Sequence, residues 1–362
     1  MLLLPLYISL GIALGLLAGA IGSMCFARKA RQEQQERVDE LQRLAERAYV
    51  AAEVGASLPP APRRRRGVPS PAAAVLPPGG DGLRAPLLQP IEEGAEEEEE
   101  EDGESIATPP PVQTLDELPA CVRAFLGRAV RDGRNFKLFT MRQLGQMKLE
   151  PGGGWKEAEA VQRACPLEPA FVWSARGSLA PFVSIKGFDS FVGGHGRCSW
   201  RLWGALPAAA GEGPEVDQSL LVRWLAEAAC FPQALQPSSF LRWQAVEGEP
   251  SVRRAEAVAV LSYAGLTVRG TFVFDHFARV VRLTSRDFLR RLPGGRFEEG
   301  EWIVSYGGHM LFGLSPQGDV MQEEVATHAG VFVPTSLEAA WRLPDGSLWH
   351  YAKFTLAKLT AQ

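Results

Sequence analysis

The sequence predicts an α+β protein, mainly β: a curved antiparallel sheet or half-barrel covered by helices, preceded by an N-terminal transmembrane helix. Three observations predict it. Leu2 to Ala27 carries no charged side chain, and Arg28, Lys29 and Arg31 follow at once. All nine tryptophans lie beyond residue 114. From there to the C-terminus most segments alternate apolar and polar residues, and few show helical spacing.

The uncharged run comes first. As a helix it is roughly 39 Å long, against a hydrocarbon core about 30 Å thick, so it spans with some tilt. A cleaved signal peptide would put its basic residues before a shorter apolar run, whereas here they come after it. Lys and Arg beside a span stay on the cytoplasmic side, which places the bulk of the chain in the cytosol as a single-pass membrane protein. Five cysteines, odd in number and widely spaced, agree with a reducing compartment. Gly11, Gly15 and Gly19 form overlapping G-x-x-x-G units, which let two backbones approach and pair as a homodimer. The alternative is that small residues are simply common in such helices. Residues 1–29 are therefore read as an anchor in the lipid bilayer through residues 2–27.

Residues 30–57 lack Gly and Pro before Gly55 and read as a solvated juxtamembrane helix. Val38, Leu41, Ala45, Ala48 and Ala52 fall on alternating a and d positions, a short coiled-coil seam that would continue the glycine pairing. Residues 58–113 are poor in aromatics, dense in Pro and Gly, and hold Arg63 to Arg66 and an acidic run from Glu96 to Asp102. Such a segment buries too little apolar surface to offset its entropy and reads as a disordered linker.

Residues 114–362 are long enough for one sizeable core. Pro119 to Asp132 sets Val122, Phe125, Leu126, Ala129 and Val130 on one helical face. A second helix over 217–231, N-capped by Asp217 and stopped by Pro232, carries the stripe Leu220, Leu221, Trp224, Leu225 and Ala228. Strands are expected at 138–149, 171–179, 183–192, 198–204, 239–246, 256–263, 266–275, 279–285, 301–306, 331–342 and 348–358. Pro344-Asp345-Gly346 marks a hairpin between the last two, and Gly193-Gly194-His195-Gly196 another turn. The domain is near neutral with scattered arginines, which lacks the basic stripe of a nucleic-acid binder.

Pro214-Glu215-Val216-Asp217-Gln218, Leu221, Arg223-Trp224-Leu225-Ala226-Glu227-Ala228 and Phe231-Pro232 together resemble the signature of an uncharacterised, mainly bacterial family, a domain of unknown function. Phe171-Val172-Trp173, Ala175-Arg176, Arg242-Trp243, Phe272 to Asp275 and Val333-Pro334 through Gly346 extend the resemblance over about 118–358. No catalytic role comes with it. The stretch from Gly307 to Ala329 departs most from the pattern. The order of strands, helix and strands is also similar in architecture to lipoprotein carriers of the LolA and LolB type, half-barrels whose apolar concave face holds acyl chains.

Catalytic and metal motifs are missing from the sequence. None of the five histidines stands at metal-ligand spacing, and there is no C-x-x-C, P-loop, nucleophile elbow or dinucleotide fingerprint. No cofactor or metal is expected. The aromatic endowment is the remaining clue: Trp173, Trp200, Trp203, Trp224 and Trp243 either line a ligand cavity between sheet and helix or fill the core. Arg176 and Arg201 would hold an anionic group at its mouth. The expected function is to bind an apolar or lipid-like ligand through Arg176, Trp173, Trp224, Trp243, Asp217 and Glu227. Two alternatives stand beside it: a hydrolase-like enzyme using Asp217 and Glu227, and a membrane scaffold for protein partners.

Overall fold

The computed structural model describes residues 4–53, 111–131, 135–246, 254–292, 294–314, 320–321 and 330–362, with side chains from residue 27 onward except at 254, 314, 320 and 321. The disordered-linker expectation falls almost wholly outside these residues. So do the side chains of the apolar run and of the glycine pairing face.

Alternation writes most of the domain into strands. In Leu266–Asp275, Val268, Gly270, Phe272 and Phe274 are buried, while Thr267 and Arg269 face solvent. Thirteen strands form one antiparallel sheet: β1 (Phe139–Met147), β2 (Lys156–Cys165), β3 (Ala170–Ala180), β4 (Val183–Val192), β5 (His195–Leu202), β6 (Leu206–Glu212) and β7 (Leu241–Ala245). They are followed by β8 (Arg254–Tyr263), β9 (Leu266–Asp275), β10 (Val280–Ser285), β11 (Trp302–Gly307), β12 (Ser336–Arg342) and β13 (Leu348–Ala361). The spatial order is 6-5-4-3-2-1-13-12-11-10-9-8-7 in these labels. Among the strands of this sheet every neighbour in space is thus the next in sequence except β1 and β13, which pair in the middle, with Phe139 opposite Ala361. A two-stranded and a three-stranded sheet are formed by the segments between β10 and β11 and between β11 and β12. Two strands of the large sheet were not foreseen. β2 and β6 are rich in Ala and Glu, which disfavour strands, and they form because hairpin neighbours offer them a ladder.

The meander is broken only between β6 and β7, which form the two edges, so the sheet is not a closed barrel. The segment joining those edges is α3 (Pro214–Glu227) with two short turns of 3₁₀ helix after it. α3 touches β4, β5 and β6 from one end of the strand order and β9 from the other, so the sheet curves round it. The helix starts at Pro214, whose missing N–H costs nothing in a first turn, and Asp217 is not its N-cap. Asp217 is instead buried, and its Oδ1 accepts the Gly196 N–H at 2.6 Å, pinning α3 to β5. Gly196 is required there: a Cβ would lie 2.9 Å from the Val216 carbonyl oxygen. A shorter helix, α2 (Ala120–Ala129), buries Val122, Phe125, Leu126 and Ala129 in the same core, Phe125 against Phe274.

The N-terminal helix α1 (Leu4–Glu53) departs from expectation. Its seam neither faces solvent nor pairs with a second helix. Val38, Leu41, Leu44, Ala45 and Ala48 are buried on the outer face of the chain's own sheet, against Leu138, Cys165, Ala170, Val172 and Val192. The physical reason lies in β3, where Ala170, Phe171, Val172 and Trp173 are buried in unbroken succession. A strand buried on both faces needs a cover on each. α3 covers Phe171 and Trp173, and α1 covers Ala170 and Val172. Arg37 Nη2 donates to His195 O at 2.9 Å and Glu33 meets Arg197 at 2.5 Å, so α1 runs beside β5. Among the described residues no helix is long and apolar enough to cross a membrane.

Candidate functional site

Between α3 and the inner face of the sheet lies a cavity of about 340 Å³. It falls within the range that small-molecule pockets occupy, about 300–1,000 Å³. Its walls are aromatic: Trp173, Trp302, Trp341, Trp349, Tyr351 and Phe354, with Phe288 stacked on Trp302 at 4.3 Å. Inward positions of β1, β3, β11, β12 and β13 supply most of them, and α3 contributes Leu220, Arg223, Ala226 and Glu227. Two of the indole tips are tied down, while the buried Trp349 Nε1 has no hydrogen-bond partner among the described residues. Trp302 Nε1 donates to the Tyr351 hydroxyl at 2.9 Å, and Trp173 Nε1 to Gln143 Oε1 at 2.9 Å.

A charged cluster centred on Arg223 enters this apolar wall, and Arg290, paired with Glu298, and Arg291 also line it. Arg223 Nη1 donates to Asp189 Oδ2 at 2.8 Å and Arg223 Nε to Glu227 Oε1 at 2.8 Å. The remaining carboxylate oxygens are also used. Trp200 Nε1 donates to Asp189 Oδ1 at 2.9 Å and Gln162 Nε2 to Glu227 Oε2 at 2.6 Å. The guanidinium lies over the Trp173 ring at 4.5 Å, a cation–π contact in a desolvated setting. Burial opposes its charge, but the Glu227 and Asp189 carboxylates outweigh that and raise its pKa above the usual arginine value. Burial likewise pushes the Tyr351 phenol up to about 12, so it stays protonated as a hydrogen-bonding group. Cys198, also on the wall, is held as a thiol, first by burial and then by Asp189. With one arginine on two carboxylates, the cluster is net negative, and all four of its carboxylate oxygens accept a hydrogen bond, while Gln162 Oε1 is buried without a partner among the described residues. It is a fixed polar patch in an apolar chamber.

The expected site residues are distributed unevenly. Trp173 and Glu227 line the cavity. Trp224 and Trp243 are fully buried in the core, their indole N–H groups on Cys165 O at 3.2 Å and Leu235 O at 2.9 Å. Asp217 pins α3 to β5 and is not among the wall residues, so it and Glu227 are not brought to one cleft. Arg176 lies on the outer face, paired with Glu159 at 2.6 Å, and Arg201 lies there too, near Glu33. Trp200 backs the wall by packing on Trp173, while Trp203 is exposed at a hairpin tip. The sequence reading missed Asp189, Gln162 and the C-terminal aromatics. Asp189 had a signal: it shares the inward register of β4 with buried Gly187 and Phe191, and a carboxylate there demands a partner. Among the described residues no three His, Cys, Asp or Glu side chains gather as metal donors.

A solved structure described as an outer membrane lipoprotein-sorting protein domain from Vibrio parahaemolyticus aligns with 69% of this chain and 94% of its own, at 7% identity and a TM-score of 0.35. At that score the likeness carries no argument about fold or function. No curated protein matches the chain. The expected membership in a family of unknown function is borne out: the chain belongs to DUF6544, a family of unknown function whose model matches residues 110–354.

Proposed function

We propose that the domain holds an apolar or lipid-like molecule in the chamber between α3 and the sheet, and that residues 2–27 keep the protein at a membrane. The observation that supports this reading is the composition of the chamber: aromatic walls, with the bonded carboxylates of Asp189 and Glu227 on Arg223 among them. Such a site gains from displacing poorly held water with apolar surface, and the cluster orients a polar end. An acid–base enzyme reading draws no support from the pair first considered, because Asp217 is committed to the Gly196 N–H away from the wall. Native mass spectrometry of the full chain, extracted in detergent and stripped of it in the gas phase, should detect a co-purifying lipid. Ala339→Trp, which fills the chamber from β12, should abolish it while the fold persists by circular dichroism. A chain that carries no lipid and binds no fluorescent fatty acid refutes the reading and leaves a scaffold for protein partners ahead.

A further inference from the structure

The outer face of the sheet carries a second, separate feature where α1 leaves the domain. Directly opposed residues on β3, β4 and β5 form a row of bases, Arg176 opposite Lys186 and Lys186 opposite Arg201. Like charges set opposite each other destabilise a sheet, so a row of three asks for an anion. Glu159 answers Arg176 and Glu33 answers Arg201. Among the described residues Lys186 has no carboxylate within ion-pair distance, and the buried Arg201 Nε has no hydrogen-bond partner. Together with Arg31 of α1 these bases edge an open groove of about 720 Å³ between the helix and the sheet.

The hairpins at this end add apolar tips. Phe182, between β3 and β4, is 97% exposed, and Trp203, between β5 and β6, is 52% exposed. Both sit in the left-handed region, with φ of 65° and 50°, at turn positions that ordinarily take Gly or Asn. The tips are joined, since Trp203 Nε1 donates to Phe182 O at 2.6 Å. Exposed aromatics on strained turns beside a row of bases, with Lys186 unanswered at its centre, match the interfacial zone of a bilayer, where aromatic rings sit among headgroups and Lys and Arg meet lipid phosphates. α1 gives the direction. Arg37 and Glu33 lie beside β5, at His195 and at Arg197 and Arg201, and Ala27, Ala30 and Arg31 reach the groove beside Trp203 and Gly204. The uncharged residues 2–27 follow directly from there.

We infer that this end of the domain docks on an anionic bilayer, with Phe182 and Trp203 entering the interface and the Arg176–Lys186–Arg201 row facing headgroups. The inference rests on the anchored reading of residues 2–27 for its direction. The test uses the full chain in vesicles of phosphatidylcholine and phosphatidylserine, with the photocrosslinker in Phe182→benzoylphenylalanine. His195→benzoylphenylalanine is the control, at the far end of β5, roughly 25 Å along the strand. The expected result is a lipid adduct at 182 and none at 195, with the 182 adduct lost when Lys186→Glu is added. Adducts at both positions, or none at 182 in a chain that resists carbonate extraction, overturn the docking. A chain extracted by carbonate that also gives no adduct overturns docking and anchor together. Lipid co-purifying in the inner chamber is a separate readout, so that reading stands or falls by itself.

Discussion

Trp224→Ala tests whether the structure has divided the tryptophans correctly between core and chamber. Trp224 is fully buried, packs on Phe231 and Phe240 at centroid distances of 5.9 and 6.0 Å, and donates its indole N–H to Cys165 O. Deleting a buried indole loses its transfer energy and opens a void, together about 3–5 kcal/mol. The unpaired carbonyl adds about 1 kcal/mol. A loss of about 4–6 kcal/mol is a large part of the 5–15 kcal/mol that usually holds a domain together. With Tm falling about 2–4 °C per kcal/mol at this size, melting should come about 10–20 °C earlier. Near-UV circular dichroism of the full chain in detergent, followed through a thermal ramp, reads this directly. The paired variant Trp302→Ala removes a wall that already borders empty space, so it should cost less stability and weaken fatty-acid binding more. If Trp224→Ala costs under about 1 kcal/mol yet abolishes binding, Trp224 walls the ligand site and the assignment made here is refuted.

Three further outcomes follow from named contacts. Arg223→Met leaves Asp189 and Glu227 buried without their shared cation and should destabilise by about 3–5 kcal/mol in chemical denaturation, where an unchanged midpoint would deny that the cluster is desolvated. Leu41→Ala should cost about 2–5 kcal/mol, because Leu41 is buried on the sheet, whereas a helix free of the domain would leave its unfolding midpoint unmoved. Burial raises the Glu168 carboxyl pKa, more than its bond to Tyr263 lowers it. A carboxyl raised on folding costs stability at high pH, a cost absent below the unfolded value of about 4.3. Glu168→Gln should therefore stabilise the protein at pH 7, with the gain fading as pH falls through the raised value, and a gain that persists at pH 3 would contradict the cause.

The parts of this protein legible in its sequence are those whose physics is local. Period-two alternation in β9, the Gly193-Gly194 turn with both φ values positive, and the Gly346 turn all act within a few residues, and each stands where it was expected. The apolar stripe of α3 is equally local, and so is its Arg223–Glu227 pair. The failures are all long-range. Val38, Leu41, Ala45 and Ala48 make the same pattern whether they meet a second helix or a sheet far along the chain. Only the double burial of β3 decides between them, and Ala170-Phe171-Val172-Trp173 stated that demand without naming its cover. Asp217 looked like a cap because Ser, Thr, Asp and Asn open helices, yet Pro214 opens this one and Gly196 takes the carboxylate across 21 residues. The chamber was the least legible feature. Its wall is assembled from β1, β3, β11, β12 and β13, which the meeting of the first and last strands brings together at the middle of the sheet. Tryptophans far apart in sequence become one wall through that closure alone. If the closure makes the chamber, severing the β1–β13 ladder with Leu359→Pro, in a strand central to the sheet, should destroy fold and binding together. Binding that survives the severed ladder would place the ligand elsewhere than the chamber.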